Sequence, residues 1–211
     1  MKSTKAKTVE LKDEQVVDQV LKGNKKEYEQ LMRRYDQRLY RISMSIINDK
    51  AEALDIMQTT YLNAYSRLSS FKGEGSFGTW LTRILINESL RQKKKKMREQ
   101  KLKEAANAAQ QTTPLKTLIN KELKTLLETA IANLPEKYKL VFVMREMECM
   151  SVKETMDVLK LTETNVKVRL NRAKEMLREN LGGKKFNELF KLDRPLCNKI
   201  VDYVLKKISN K

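Results

Sequence analysis

Large apolar residues recur along this chain at spacings of three and four, the period of one helical face. After Asp13, the residues Val16, Val17, Val20 and Leu21 predict a short helix that ends at Gly23. Tyr28, Leu31, Tyr35, Leu39, Ile42 and Ile46 line the next, with Asn24 as its expected N-cap and Glu27 as the reciprocal partner. Asp49 and Glu52 repeat that pairing ahead of Leu54, Met57, Tyr61, Tyr65 and Leu68. A segment holding Gly73, Gly75 and Gly78 then interrupts the period, and helix resumes around Thr79 with Trp80, Leu81, Ile84, Leu85 and Leu90 on its buried side.

The run RQKKKKMR over 91–98 has no apolar face, so the first core is expected to end there. From about 95 to 114 the composition is Lys, Glu, Ala and Gln, a stretch that could be helical yet has little to bury, and it reads as a linker. Beyond Pro114 the period returns at Leu115, Leu118, Ile119, Leu123, Leu126, Leu127 and Ile131, and Pro135 opens a helix through Val141, Phe142 and Met144. The predicted organisation is a domain over 13–94, a charged linker over 95–114, a second domain over 115–181, and a basic extension over 182–211. Ile200, Val201, Val204, Leu205 and Ile208 give that extension one amphipathic helix, free to pack on the second domain or to meet a partner.

Composition sharpens the fold class. The chain has 211 residues but only 6 Gly and 3 Pro, few places to force turns, so the expectation is all-α. Its 44 Lys and Arg against 27 Asp and Glu leave a net charge of +17, which favours a polyanionic partner without implying sequence specificity. Histidine is absent, which removes the commonest acid–base and zinc chemistries. Cys149 and Cys197 are too far apart for a paired-ligand site, and they form no disulfide framework; Cys197 reads as a small apolar side chain. With no span-length apolar run and a polar start, the expected location is the cytoplasm. No metal or cofactor is called for: Asp49, Glu52 and Asp55 recur at threes, but two already serve as caps and no further acids complete a nuclease site.

Ser151 and Glu154 form an S-x-x-E capping box before one helix, and TETNVKVRLNRAKEMLREN follows after a short gap as another. The second puts Val166, Leu170, Ala173 and Leu177 on one face, and Lys167, Arg169, Asn171, Arg172 and Lys174 elsewhere, as a recognition helix requires. An amphipathic hairpin with solvated lysines has the same pattern.

The stretch from Leu134-Pro135 through this helix pair resembles region 4 of bacterial sigma-70-type factors, at Ser151, Glu154, Val166, Lys167, Arg169, Leu170, Arg172, Ala173 and Leu177. ALDIMQTTYLNAYSRLSSFKGEGSFGTWLTRILIN is similar to region 2, at Asp55, Gln58, Phe71, Phe77, Trp80, Leu81, Ile84 and Asn87. Two such domains on a poor linker resemble the extracytoplasmic-function (ECF) subgroup. Met156 stands where the family usually has a small residue and the turn near Lys160 lacks the glycine often found there, while Asn165 replaces the common Ser or Thr and Glu163 adds an acid to the helix start. Those departures lead us to expect altered reading of the upstream promoter element by Thr164, Asn165, Lys167, Val168, Arg169 and Arg172.

The resemblance implies a non-enzymatic transcription factor that binds the clamp and flap of core RNA polymerase and captures the melted non-template strand of the minus-ten element. An anti-sigma factor or a further recruiting factor is an additional implied partner. The polymerase face would comprise Leu54, Asp55, Met57, Gln58 and Tyr61, although Met57 and Tyr61 also fit a core role. Strand capture would fall to Phe71, Lys72, Ser76, Phe77, Thr79, Trp80, Arg83, Asn87 and Arg91. Aromatic faces hold an unstacked base with about 1–3 kcal/mol each, and glycines let the backbone approach it. Phe77 and Trp80 equally fit as core residues closing a helix start. The cation run over 91–98 would touch phosphates. The competing reading is a stand-alone helix-turn-helix regulator of duplex DNA, which would not need the aromatic and glycine loop.

Overall fold

The computed structural model describes residues 11–106, 122–181 and 194–210. Pro114, Leu115, Leu118, Ile119, Gly182, Gly183 and most of the expected linker lie outside the described residues, as do the side chains of Leu123, Leu126 and Leu127. Among the described residues the ordered elements are all helical. They are α1 (Asp13–Leu21), α2 (Tyr28–Ile47), α3 (Lys50–Ser66), α4 (Phe77–Ala106), α5 (Glu122–Asn133), α6 (Glu136–Phe142), α7 (Val152–Leu159), α8 (Glu163–Leu181) and α9 (Arg194–Ser209).

Local chemistry sets most of the boundaries. Asp49 Oδ1 accepts from the Glu52 backbone N–H at 3.0 Å and starts α3, as its sequence pattern requires. Asn24 behaves differently. A 3₁₀ turn over Lys25–Glu27 precedes α2, and the Asn24 side chain donates to Glu27 Oε1 at 3.3 Å in place of capping the backbone. Two non-glycine residues end helices in the left-handed region, Asn48 after α2 at φ 55° and Lys160 after α7 at φ 54°. Lys160 thus adopts a backbone that glycine favours.

α1 to α4 enclose one core, with Tyr28, Leu31, Leu39, Ile42, Met57, Tyr61, Phe77, Leu81 and Leu85 almost wholly buried. Tyr61 donates its hydroxyl to the Met32 carbonyl at 3.0 Å and Tyr28 to the Tyr61 carbonyl at 2.9 Å, stitching α2 to α3. The second core gathers Ile131, Leu140, Phe142, Val143, Met147, Val158, Val166, Ala173 and Leu177. There α6 passes into a π-helical turn over Val143–Met147. Cys149 follows at φ 50°.

Two points that the sequence left open are refined. α4 continues to Ala106, so the first part of the stretch read as a linker is helical. Lys, Glu, Ala and Gln are good helix formers, nothing in that stretch breaks the ladder, and Lys95 and Glu99 pair one turn apart at 3.8 Å. The C-terminal helix packs on the first domain rather than the second: α9 lies along α2 and α3, burying Cys197, Ile200, Val201, Val204 and Ile208. Polar ties fix its register, since Arg33 Nη1 donates to Asn198 Oδ1 at 2.8 Å and Lys25 Nζ donates to the Ile208 carbonyl at 3.0 Å. The Cys197 thiol donates to Asp36 Oδ2 at 2.6 Å, so it is more than an apolar filler.

Candidate nucleic-acid interface

The glycine-bearing loop ends where Ser76 caps α4. Ser76 Oγ accepts from the Thr79 backbone N–H at 3.2 Å and lies 2.7 Å from Thr79 Oγ1. Behind that cap an aromatic cluster forms. Phe71 meets Phe77 edge-on at 5.4 Å and Trp80 at 5.6 Å, Phe77 and Trp80 are 5.5 Å apart, and Tyr35 of α2 reaches Phe77 at 5.8 Å. Gly73 (φ 74°) and Gly75 (φ 112°) turn the loop outward with open space around both. Gly78 serves packing instead, because a Cβ there would stand 2.5 Å from Tyr35 Cε1, and its smallness lets α4 close on α2.

The named strand-capture residues therefore separate into two layers. Phe71 and Trp80 are half-buried and Lys72 and Ser76 exposed, which leaves faces and donors at the surface. Phe77 is fully buried and Thr79 is 5% exposed, so they support the loop from beneath. Arg83 is half-buried, and its Nε is enclosed without a hydrogen-bond partner. Asn87 and Arg91 are exposed further along α4, where Arg91 pairs with Glu88 at 2.8 Å. Phe71, Lys72, Ser76, Trp80 and Arg83 line a cavity of about 300 Å³, whose far wall is Lys153, Glu154 and Asp157 of α7.

That far wall belongs to the other domain. Glu154 Oε2 accepts from the Ser151 N–H at 2.8 Å and completes the capping box. Its Oε1 accepts from Ser76 Oγ at 3.1 Å and from Thr79 Oγ1 at 3.0 Å. Burial raises the Glu154 carboxyl, but hydrogen bonds from Ser151, Thr79 and Ser76 outweigh it and hold the group below its ordinary range. Glu148, at the end of the π turn, accepts from Arg41 Nη1 at 2.9 Å and lies 3.7 Å from Arg38 Nε, both on α2. Here burial wins, and the carboxyl is raised despite both arginines. Glu136 pairs with Lys93 of α4. Sequence reasoning named none of these three contacts as functional. The S-x-x-E spacing placed Glu154 at a helix start, but nothing local signals the partner of its second oxygen.

The other named residues fall as follows. On α3, Asp55 is exposed and Leu54 and Gln58 half-buried, whereas Met57 and Tyr61 are core residues at 0% and 1% exposure. Within the cation run, Lys96 pairs with Glu52. On α8, Thr164, Lys167, Val168 and Arg172 are exposed on one face, with Val168 53% exposed. Thr162 Oγ1 caps that helix, accepting from the Asn165 N–H at 3.3 Å and from its side-chain amide at 3.0 Å. Glu163 pairs with Lys167 at 2.6 Å, and that hydrogen bond and charge lower its carboxyl. Arg169 is half-buried and turns toward a cavity of about 450 Å³ bounded by Ile86, Leu90, Leu140 and Val158. Among the described residues no cluster of acids or cysteines could hold a metal, and no helix is long and apolar enough to cross a membrane.

Comparison with known proteins bears on the same segments. The sigma-70 region 2 family model matches residues 31–99 and the sigma-70 region 4 model matches residues 124–177, together more than half of the chain. The ECF RNA polymerase sigma-E factor of Haemophilus influenzae is 27% identical over 183 residues, covering 82% of this chain and 96% of the relative. The ECF RNA polymerase sigma factor SigW of Bacillus subtilis is 27% identical over 176 residues, covering 78% and 94%. Among solved structures, CnrH in complex with the cytosolic domain of CnrY aligns with a TM-score of 0.59 at 23% identity, covering 79% of this chain and 95% of that one. RpoE in complex with the anti-sigma factor NepR from Bartonella quintana aligns with a TM-score of 0.57 at 20% identity, covering 67% and 88%. Two helical bodies, one carrying a capped aromatic loop and the other a helix-turn-helix, and matches to both regions place this chain in the sigma-70 family of RNA polymerase sigma factors, in its extracytoplasmic-function group.

Proposed function

We propose that the chain docks on the clamp of core RNA polymerase through the exposed edge of α3, and melts promoter DNA by holding the non-template strand on the loop before α4. Asp55 and Gln58, with Leu54 beside them, supply the docking edge, the acid meeting basic side chains of the clamp. Phe71 carries the capture step. It is half-buried on Phe77 and Trp80 yet borders a cavity with Lys72 and Arg83 on its rim, so a base leaving the stack finds a ring already held in place. Phe77 and Thr79 position that ring and the Ser76 cap without touching DNA. The outer face of α8, with Thr164, Lys167, Val168 and Arg172, approaches the upstream element, and Arg169 anchors the helix from its half-buried side.

Opening on this reading uses binding energy alone, with no catalytic step in the chain, and takes place in the cytoplasm where the polymerase is. Residues 13–94 and 115–181 act as the two functional domains, and their cations contact phosphate without reading sequence. The test is a fork-junction promoter with core polymerase. Phe71→Ala should lose about 5- to 150-fold in strand capture, the equivalent of one stacked base, and leave polymerase binding within about twofold. Asp55→Ala should do the reverse. Full promoter opening by Phe71→Ala would refute the capture role, and duplex binding that ignores polymerase would support a stand-alone regulator.

A further inference from the structure

On α8 the cations flank the surface that lies farthest from the core and do not occupy it. At roughly 100° per residue, Val166, Leu170, Ala173 and Leu177 form the stripe that faces the core, and the stripe on the opposite side of the helix is Thr164, Val168 and Asn171, continued by Glu175. We propose that Asn171 and Val168 are the base-reading residues of α8 and that they select A·T pairs, Asn171 through the adenine edge and Val168 through the methyl group of thymine. The proposal rests on the reading that α8 meets the upstream promoter element.

Three observations carry it. First, Lys167 stands on one flank of the outer stripe and Arg172 on the other. A helix lying in the major groove with this face down turns its cations to the phosphate walls and its neutral stripe to the base edges. Second, both cations are already engaged within their own helix, Lys167 with Glu163 at 2.6 Å and Arg172 with Glu175 at 2.9 Å. Those pairs draw them away from the two-pronged guanine contact that an unpaired arginine makes. Third, Val168 is 53% exposed, the most exposed large apolar side chain among the described residues, and Asn171, one turn on, is exposed with no hydrogen-bond partner among them. In the major groove an asparagine amide matches the N6 donor and N7 acceptor of adenine, and an apolar branch meets the thymine methyl group.

The test uses base analogues that each delete one recognised group. Holoenzyme assembled from the full chain and core RNA polymerase is presented with duplexes randomised over about 10 base pairs, one helical turn, upstream of a pre-opened bubble. The enriched sequence is then resynthesised one position at a time, with uracil for thymine, which removes the methyl group, or 7-deazaadenine for adenine, which removes the N7 acceptor. Val168→Ser and Asn171→Ala are the variants. Both positions are exposed, so neither change touches the core, and assembly with polymerase is measured for each.

Uracil at one thymine should weaken the wild-type complex about fourfold, the worth of one apolar carbon withdrawn from water, and should not change binding by Val168→Ser. At one adenine, 7-deazaadenine should weaken wild type about fivefold, the worth of one hydrogen bond, and should not change binding by Asn171→Ala. Enriched sequences built on guanine, with binding indifferent to both analogues, would overturn the assignment of the two readers while leaving α8 on the element. Analogue effects that the variants retain in full would overturn it as well. Enrichment of no sequence at all would overturn the placement of α8 on promoter DNA, and the proposal with it.

Discussion

Adding one methyl group to Gly78 tests how the capture loop is seated on the rest of its domain. An ideal Cβ at this position stands 2.5 Å from Tyr35 Cε1, 2.9 Å from Arg38 Nη1 and 3.0 Å from Tyr35 Cζ. Carbon atoms pack best at about 3.5–4.0 Å, so the ring would have to retreat by about 1 Å. It is held on three sides. Its hydroxyl donates to Asp13, the Arg38 guanidinium lies 5.5 Å from its centroid, and Phe77 packs at 5.8 Å. Overfilling such a site costs about 1–3 kcal/mol, while alanine in place of glycine returns at most about 1 kcal/mol of helix propensity so near the start of α4. Gly78→Ala should therefore destabilise the chain by about 1–2 kcal/mol, read as a lower urea midpoint at constant slope or a fall of about 2–8 °C in Tm. Tyr35→Ala removes the obstacle, and in that background Gly78→Ala should be neutral or stabilising. Equal or greater stability for the single variant would refute the close approach of α4 to α2.

The paired tyrosines between α2 and α3 give a second test. Tyr28→Phe and Tyr61→Phe each delete one buried hydrogen bond and should cost about 1 kcal/mol in urea unfolding. Burial raises both phenols, so ultraviolet titration of the folded chain should show neither ionising at the pH of about 10 usual for tyrosine. Glu148 supplies a pH test. Its folded carboxyl is raised by burial in spite of Arg41 and Arg38, so just above the unfolded value of about 4.3 the native state holds a proton that the unfolded chain has lost. Its contribution is thus fully present below that value and lost as pH rises through the folded one. Glu148→Gln should be at least as stable as wild type at pH 7, with the difference closing toward pH 4; a loss of more than about 1 kcal/mol at pH 7 would show that the ion pairs outweigh the burial.

Features that a few neighbouring residues decide were legible in the sequence. Asp49 caps α3 through the amide three residues on, and Ser151 and Glu154 close their box, because each bond lies within one turn. The Asn24 reading failed for a similar local reason: its amide had a carboxylate to bind as well as a backbone, and it took the carboxylate. Aromatic roles were only half legible. Spacing puts Phe77 and Trp80 at the head of an apolar stripe, but which ring is sealed depends on Tyr35, far away on α2, and Phe77 is the one it covers. Composition left residues 95–106 open between linker and helix, since a stretch with nothing to bury still propagates helix when it extends one already nucleated.

What no local pattern held is how the two domains meet. Glu148 is separated from Arg41 by 107 positions and Glu154 from Ser76 by 78, and each acid also has a basic residue close by in sequence, Arg145 and Lys153. In a chain carrying +17, a carboxylate has many cations to choose from, and sequence alone does not rank them. Ranking comes from burial. The carboxylate that lost most water, Glu148, faces two arginines, whereas the more exposed Glu154 binds the hydroxyls of Ser76 and Thr79. These polar ties orient a junction that also has an apolar footing, since Ile86 and Leu90 of α4 face Leu140 of α6 and Val158 of α7 across one cavity, and non-directional apolar contact alone would not fix which way the two bodies face.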